Sequence, residues 1–210
     1  INYCLAAGAS IVLMSHLGRP GGETIQELSL DPIAFSLEEI IGKEVMFSSD
    51  CVSDDAIELS QQMSPGEIHL LENLRFHKGE TNNDPTFSWS LSRHGDIYIN
   101  DAFGAAHRAH ASNVGITKYI TNVAAGFLLE KEIKYLYTSL KKPKSPSVLI
   151  LGGAKIGDKI KLIENMFTKI DTILIGGAMA FTFLKAKGRN IGGSMVEMEN
   201  LSIAHNVISN

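Results

Sequence analysis

Three of the five arginines in this 210-residue sequence follow shortly after apolar runs that are typical of buried strands. Arg19 lies in the motif SHLGRPGG, Arg75 in ENLRF and Arg108 in NDAFGAAHRAH. In an open parallel sheet, ligands bind beyond the carboxyl ends of the strands, so we expect these side chains and His16 to converge at one edge. Arginine presents a planar fork of donors that suits carboxylates and phosphates. The pattern therefore predicts a site for a small polyanion.

A structural interpretation of the same residues stays open. Each arginine could be a surface charge that pairs with a nearby carboxylate, although this explains one arginine more readily than three at equivalent positions of a sheet. His107 and His110 could be proposed as metal ligands, but no carboxylate or cysteine stands at a matching interval. A structural or anion-facing role is favoured for them, and no metal site is predicted in this chain.

The second half of the sequence repeats a strand–glycine–glycine–helix pattern, in VLILGGAKIGDK and in TILIGGAMAFTF. Glycine pairs at strand ends let a ligand approach the backbone, and the helix start that follows favours phosphate. Lys155 and Lys159 are four residues apart, which predicts that they share one face of the first helical turns. Neither a Walker A nor a G-x-G-x-x-G motif is present, so the glycines could instead serve only tight turns and the lysines could be solvated.

The elements that must position these motifs alternate along the chain. Strands are predicted at 11–15, 45–47, 67–71, 96–100, 148–151 and 172–175. Helices are predicted at 32–41, 53–63, 85–93, 126–140, 156–167 and 179–187, and residues 189–200 are predicted as loop. This alternation implies parallel sheets with right-handed crossovers, so the expected fold class is α/β.

Composition excludes several classes of function. The net charge of −4, with 44% hydrophobic and 20% charged residues, is ordinary for a globular protein and gives no general attraction for nucleic acid. The apolar runs are far shorter than the roughly 20 residues that span a membrane. Cys4 and Cys51 lack metal-ligand spacing and are typical of a reduced protein, so we expect a cytoplasmic location.

An arginine-rich anion site in one domain and a glycine–lysine nucleotide site in another fit phosphoryl transfer between a small acid and a nucleotide. Five motifs, SHLGRP, ENLRF, NDAFGAAHRAH, LGGAKIGDKI and IGGAMAFTFL, also resemble those of the phosphoglycerate kinase family, in order and over essentially the whole chain. The resemblance implies a glycolytic kinase that moves a phosphoryl group reversibly between 1,3-bisphosphoglycerate and ADP, giving 3-phosphoglycerate and ATP. It also implies Mg²⁺ on the nucleotide phosphates, two Rossmann-like parallel-sheet domains joined by a long helix, and a monomer when complete.

The resemblance assigns roles residue by residue. The residues implied to bind 3-phosphoglycerate are His16, Leu17, Gly18, Arg19, Arg75 and Arg108. Of the two lysines implied to be catalytic, Lys155 faces the transferred phosphoryl group and Lys159 the nucleotide phosphates. The glycines implied to line the nucleotide site, together with these lysines, are Gly152, Gly153, Gly176 and Gly177. The protein ligand of Mg²⁺ is expected outside this sequence.

The sequence also departs from the family pattern. Ala105 stands where the family usually has threonine, so a hydroxyl contact is expected to be lost. No Arg-x-Asp-x-Asn strand, which carries the family's catalytic arginine, precedes Ile1. The glycine-rich segment with the family's metal-binding aspartate and adenosine contacts does not occur before Asn210.

We therefore expect the central part of such an enzyme, with both domains incomplete and without kinase turnover of its own. The expected parts are a substrate domain at 1–125 without its first strand, an interdomain helix at 126–142 and a partial nucleotide domain at 143–210. Two other classes stay open. One is a non-catalytic anion-binding α/β fragment. The other is a nicotinamide-dependent dehydrogenase, which the missing fingerprint and ribose-binding acid disfavour.

Overall fold

The computed structural model describes residues 1–209, apart from the side chains of Thr138 and Asp158. The chain divides into two compact units, Ile1–Glu130 and the residues from Lys131 onward. The division falls inside the long helix that the sequence predicts between two domains. The three-part organisation expected from the resemblance stays a prediction.

The first unit contains five strands and the second contains two, counted over residues 1–209. The strands are β1 (Ile11–Leu13), β2 (Met46–Ser48), β3 (Ile68–Leu71), β4 (Ile97–Asn100), β5 (Asn122–Ala125), β6 (Val148–Leu151) and β7 (Thr172–Ile175). The α-helices are α1 (Asn2–Ala6), α2 (Asp31–Ile41), α3 (Asp54–Gln61), α4 (Lys78–Thr81), α5 (Pro85–Ser92), α6 (Phe103–Ala106), α7 (Phe127–Lys141), α8 (Ile160–Met166), α9 (Met179–Ala186) and α10 (Leu201–Ser209). Turns of 3-10 helix lie at Gln26–Leu28, Leu74–Phe76, Ile116–Lys118, Gly157–Lys159 and Met198–Asn200, and a π-helical turn lies at Ala111–Gly115.

The strands of residues 1–209 pair in parallel, as their alternation with helices predicts. In the first unit β3 lies between β1 and β2, with Ile11 opposite Ile68 and Met46 opposite His69. In the same unit β4 pairs with β5, and in the second unit β6 pairs with β7. The α/β class is confirmed. Parallel pairing also brings the loops that follow neighbouring strands to the same end of each sheet.

Strand β3 is buried along its whole length and divides the core of the first unit. Alternate side chains of a strand point to opposite faces. Ile68 and Leu70 therefore pack with Ala34 of α2, while Leu71 belongs to a second cluster that includes Leu91 of α5. Burial on both faces explains why this strand is almost entirely apolar.

His69 is the polar exception in β3, and it is fully buried. Its Nδ1 lies 2.8 Å from the Ser60 hydroxyl, and its Nε2 lies 2.8 Å from the Ser48 hydroxyl. The same Ser60 hydroxyl lies 2.7 Å from Nδ1 of His94, whose Nε2 is 3.0 Å from the Cys51 carbonyl oxygen. This buried network joins β2, β3 and α3 to His94, the second residue after α5.

The second unit packs its helices against the β6–β7 pair, in which Val148 lies opposite Thr172 and Leu151 opposite Ile175. Its buried core consists of Leu151, Ile156, Ile163, Met179, Phe183 and Ala204. Within residues 1–209, no helix is long and apolar enough to cross a membrane.

The local features that differ from the sequence-based expectation include β5, the start of α8 and the 3-10 turn Met198–Asn200, which lies in the predicted loop 189–200. The sequence does not predict β5, because the run NVAA is short, fully exposed and ends in alanine, a poor strand former. The helix predicted at 156–167 starts later, since Gly157–Lys159 forms a 3-10 turn and α8 begins at Ile160. Gly157 disfavours an α-helical first turn.

Candidate functional site

The loops that follow β1 and β3 are joined by backbone hydrogen bonds. The Leu74 N–H donates to the Ser15 carbonyl at 3.1 Å, and the Gly22 N–H donates to the Arg75 carbonyl at 3.1 Å. The two loops carry the motifs SHLGRPGG and ENLRF, so the parallel pairing of their strands places these motifs side by side. Gly22 has a φ of +88°, and a Cβ there would overlap the Lys78 side chain and lie 3.0 Å from its backbone nitrogen. Only glycine fits this position.

Side chains of the ENLRF motif fix the other loop at two further points. Asn73 is fully buried and donates from Nδ2 to the carbonyls of Leu17, at 2.8 Å, and Leu28, at 2.9 Å. Arg75 donates from Nη1 to the Gly18 carbonyl at 2.8 Å. Leu17 and Gly18, which the resemblance assigns to the substrate, therefore use their carbonyls to anchor the loop.

Glu72 ties the start of α2 to the same motif. Its carboxylate accepts hydrogen bonds from the Ser29 hydroxyl at 2.6 Å, from the Leu30 N–H at 2.8 Å and from the Asn73 N–H at 2.6 Å. The carboxylate is buried, and these three donors compensate for the loss of water. Glu72 and Asn73 are thus the residues that shape the loop that carries Arg75.

The first unit contains a cavity of about 250 Å³ beside these loops. Its lining residues are Arg19, Gly21, Gly22, Arg75, Thr81 and Arg108. The structure therefore brings together the three arginines that follow the strands. Among residues 1–209, the Nε–H of Arg75 is buried without a hydrogen-bond partner, so part of its donor capacity is free.

The electrostatics of this region are those of crowded positive charge. Burial lowers the pKa of Arg75, and the guanidinium groups of Arg108 and Arg19 act in the same direction. The pKa of His16 is lowered by burial and by Arg75, while the Glu80 carboxylate opposes the shift. Arg75 is half-buried, whereas His16, Arg19 and Arg108 are exposed. A bound anion would relieve their mutual repulsion.

A second cavity of about 430 Å³ in the first unit has the opposite character. Its lining residues are Asp54, Glu58, Gln61, Gln62 and Arg93. Arg93 already lies 3.6 Å from the Asp54 carboxylate and stacks over Trp89. The side chains that line the larger cavity therefore do not form a cationic cluster that could bind an anion.

One group of side chains among residues 1–209, Asp50, Cys51 and His77, has the composition of a metal site. Asp50 already accepts hydrogen bonds from the N–H groups of Val52 and Ser53, and its other oxygen lies 3.1 Å from Nε2 of His77. Burial raises the pKa of the Cys51 thiol far above its usual value, which keeps it protonated rather than ligating. The hydrogen bonds of Asp50 therefore make this group of side chains a structural contact.

In the second unit, the two glycine pairs pack backbone against backbone. The Gly176 N–H donates to the Leu151 carbonyl at 2.8 Å, and the Met179 N–H donates to the Gly153 carbonyl at 2.9 Å. Gly177 has a φ of +67°, and a Cβ there would lie 2.8 Å from both the nitrogen and the oxygen of Gly153. The absence of side chains thus lets the ends of β6 and β7 meet.

The two lysines occupy different environments. Lys159 ends the 3-10 turn before α8, and its ammonium nitrogen lies over Gly153, 2.8 Å from where a Cβ on that glycine would be. Lys155 is exposed in the loop before the turn, so the predicted shared helical face is wrong. The late start of α8 is the reason. Only Lys159 is placed directly against a glycine turn.

The amides at the start of the 3-10 turn are bound by a side chain of the same unit. Glu197 accepts from the Ile156 N–H at 2.6 Å and from the Gly157 N–H at 3.3 Å. Desolvation would raise the pKa of Glu197, but these hydrogen bonds and the charge of Lys155 lower it overall. The backbone donors that the sequence assigns to a phosphate are therefore occupied by a carboxylate.

Comparison with known proteins decides the family. The family model for phosphoglycerate kinase matches residues 1–210. This chain belongs to the phosphoglycerate kinase family. The match covers both the arginine-lined cavity and the glycine turns, and it excludes the dehydrogenase alternative.

Individual phosphoglycerate kinases show the extent of the similarity. The chain is 50% identical over 208 residues to the one from Chlorobium phaeobacteroides (strain BS1) and 51% identical over 210 residues to the one from Finegoldia magna. These alignments cover 99% of this chain and 52% and 53% of those proteins. The chain thus spans about half the length of the curated relatives it matches.

Solved phosphoglycerate kinase structures share the fold. The structure from Coxiella burnetii superposes with a TM-score of 0.84 at 36% identity, covering 99% of this chain and 52% of that one. The structure from Pyrococcus horikoshii OT3 gives 0.86 at 30% identity, covering all of this chain and 55% of that one. The predicted phosphoglycerate kinase resemblance and the Rossmann-like α/β class are both confirmed.

Proposed function

We propose that this chain provides the 3-phosphoglycerate site, and part of the nucleotide site, of a phosphoglycerate kinase that transfers a phosphoryl group reversibly between 1,3-bisphosphoglycerate and ADP. The observation that carries the proposal is the cavity of the first unit, where Arg19, Arg75 and Arg108 line one space. We assign this cavity to the substrate domain predicted at 1–125 and the glycine turns to the nucleotide domain predicted at 143–210.

The cavity has the chemistry that a phosphorylated carboxylic acid requires. Guanidinium forks bind carboxylate and phosphate oxygens in pairs, and three of them can neutralise both ends of 3-phosphoglycerate. His16 does not line the cavity, but burial and the charge of Arg75 lower its pKa, so it senses the charge of this region. Arg75 is held by its hydrogen bond to Gly18, so its remaining donors are preorganised.

The glycine turns support the nucleotide half of the proposal. Gly152, Gly176 and Gly177 are exposed and Gly153 is half-buried, so a ligand can approach the backbone, and Lys159 places a positive charge over Gly153. We propose that Lys159 holds nucleotide phosphates and that Lys155 acts on the transferred phosphoryl group. A charge positioned where negative charge develops lowers the barrier to phosphoryl transfer.

Phosphoglycerate kinases use their nucleotide together with Mg²⁺. Mg²⁺ takes oxygen ligands, whereas the charged groups that the structure describes at the glycine turns are the ammonium groups of two lysines. The Glu197 carboxylate contacts this region, but it already accepts hydrogen bonds from two backbone amides. We therefore assign no Mg²⁺ ligand among the side chains that the structure describes. The monomeric state and the cytoplasmic location stay predictions from the sequence.

Titration calorimetry of the 210-residue chain tests the substrate assignment. We expect saturable binding of 3-phosphoglycerate, weaker binding of inorganic phosphate, and much weaker binding of glycerate, which lacks the phosphate. Saturating the chain with ADP should not change its affinity for 3-phosphoglycerate, because the proposed nucleotide site lies in the other unit. Equal affinities for 3-phosphoglycerate and glycerate would contradict the proposal.

A further inference from the structure

A buried carboxylate, that of Glu80, lies directly before Thr81, one of the residues that line the arginine-lined cavity. Glu80 in α4 is only 4% exposed, although it is a charged residue in a helix of four residues. Its Oε1 accepts from the Ser112 hydroxyl at 2.6 Å, and its Oε2 accepts from the Ser112 N–H at 2.9 Å. His110 completes the set, with Nδ1 at 3.3 Å from Oε1. Two donors of Ser112 and a ring nitrogen of His110 therefore contact the carboxylate.

These contacts join the two chain segments that supply cavity arginines. Arg75 lies five residues before Glu80, and Thr81 directly after it lines the cavity. Arg108 lies shortly before His110 and Ser112, the partners of the carboxylate. The two segments are separated by about thirty residues of chain, so their spacing depends on contacts of this kind.

The Glu80 carboxylate also acts on the cavity electrostatically. It favours the charged forms of His16 and Arg75, against the effect of neighbouring positive groups. Its burial keeps it from lining the cavity, which the arginines line instead. The carboxylate therefore offsets the repulsion between the cationic side chains without occupying the space for the anion.

The backbone around Arg108 has a second, independent anchor. Asn113 donates from Nδ2 to the carbonyls of Ala105, at 2.7 Å, and Arg108, at 3.3 Å. The Oδ1 of Asn113 accepts a hydrogen bond from Nδ2 of Asn100 at 3.0 Å. The local fold of this loop thus does not depend on Glu80 alone. What Glu80 determines is how the loop is held against the segment that carries Arg75.

We propose that Glu80 is a positioning residue of the 3-phosphoglycerate site, which clasps Ser112 and His110 and so fixes Arg108 relative to Arg75. This inference rests on the proposed function, since it concerns the same cavity. Charge alone makes the opposite prediction, because removing a carboxylate near an anion site favours the anion. The two effects can therefore be separated by experiment.

The test compares Glu80→Ala with Glu80→Gln in the 210-residue chain. Glutamine keeps two hydrogen bonds to Ser112, because its amide oxygen can accept from the N–H while its NH₂ group donates to the hydroxyl. Alanine removes both. We expect Glu80→Ala to weaken 3-phosphoglycerate binding by about 10-fold or more, and Glu80→Gln to remain within about threefold of wild type. ADP affinity should be unchanged in both variants.

A second readout separates positioning from general destabilisation. The pKa of His16, followed by NMR, should fall in both Glu80 variants, because each removes the charge that raises it. Ser112→Ala keeps the charge and loses one bond of the clasp. It should weaken 3-phosphoglycerate binding about threefold without moving the pKa of His16, and it tests the inference even if Glu80→Ala does not fold.

The outcomes distinguish this inference from the function on which it rests. If wild type binds no 3-phosphoglycerate, the proposed function fails. If wild type binds and both Glu80→Ala and Ser112→Ala bind equally well or more tightly, the positioning role is overturned and the proposed function stands.

Discussion

Arg75 and Arg108 play different parts at the scale of single residues. Arg75 both lines the cavity and supports the loop through its bond to Gly18, whereas Arg108 is exposed and contributes its charge. Arg108→Ala should therefore weaken 3-phosphoglycerate binding by roughly 10- to 150-fold, the loss of a charge-assisted contact, with little change in stability. Arg189→Ala, an exposed arginine of the second unit, is the matched control. Equal loss of ADP binding in Arg108→Ala would contradict the assignment.

Lys159 is the lysine that the structure places against a glycine turn. Lys159→Met removes the ammonium group above Gly153 while keeping an unbranched side chain of similar length. We expect about a 10-fold loss of ADP affinity by calorimetry, since a charged contact to phosphate is lost. Lys161→Met, at an exposed lysine of α8, should bind ADP like wild type. If both variants bind alike, Lys159 is only a solvated side chain of the turn.

The residues of the candidate site that the sequence predicts act differently from those that it does not predict. Arg19 and Arg75 can be predicted because side chains after neighbouring parallel strands meet at one edge, whereas Arg108 follows β4, which pairs with β5 in a separate two-stranded sheet. Glu72, Asn73 and Glu80 could not be assigned, because they act through partners 40 or more residues away or through a buried clasp. The only signal for Glu72 and Asn73 in the sequence is their place directly after an apolar run, and Glu80 stands in the polar stretch HKGETNND, which is typical of any surface loop.

At the scale of elements, the meeting of β6 and β7 depends on Gly177. Gly177→Ala combines a left-handed φ of +67° with a Cβ 2.8 Å from backbone atoms of Gly153. Gly188 has a similar φ of +73° but open space around it, so Gly188→Ala should cost only about 1–2 kcal/mol. Gly177→Ala should cost about 1–3 kcal/mol more in the free energy of unfolding, measured with urea. Equal costs would show that the close approach is not required.

The buried histidine network predicts a pH dependence of stability. Burial, together with the neighbouring His94, lowers the pKa of His69 to about 4, and burial also lowers the pKa of His94. Between about pH 6.5 and 4 the unfolded chain binds protons that the folded chain does not, so the free energy of unfolding decreases as the pH falls through this window. Over this whole window, the lowered pKa of His69 reduces the free energy of unfolding by about 3 kcal/mol.

Urea unfolding at a series of pH values measures this slope. His69→Gln should be less stable than wild type at pH 7.5 but should lose less stability on acidification. His205→Gln, at an exposed histidine of α10, should keep the wild-type slope. A slope that is unchanged in His69→Gln would contradict the assignment of the pH dependence to this network.

The elements themselves were predictable where burial or capping leaves a pattern. Strands β3, β6 and β7 are short apolar runs, and α3 directly follows its N-cap Ser53, whose side chain accepts from the Ala56 N–H. Strand β5 has no such pattern, because all four of its residues are exposed. Propensity also could not show that Glu197 binds the amides ahead of α8, since that contact crosses 40 residues.

At the scale of the molecule, each unit carries one half of the proposed chemistry. The first unit holds the arginine-lined cavity, and the second holds the glycine turns with Lys159. The order of the five motifs was enough to predict the family, and the alternation of strands and helices was enough to predict the α/β class. The division between the units falls inside α7, whose helical pattern continues across it, so no single residue in the sequence marks it.

The central claim is that the cavity of the first unit binds 3-phosphoglycerate, and the titration of His16 tests it most directly. In the free chain the pKa of His16 lies below its usual value, because of burial and of Arg75 beside it. An anion bound among the arginines should raise that pKa, so NMR titrations with and without saturating 3-phosphoglycerate should give a higher value for the complex. A His16 pKa that stays unchanged while calorimetry shows the ligand bound would place the anion elsewhere and contradict the account.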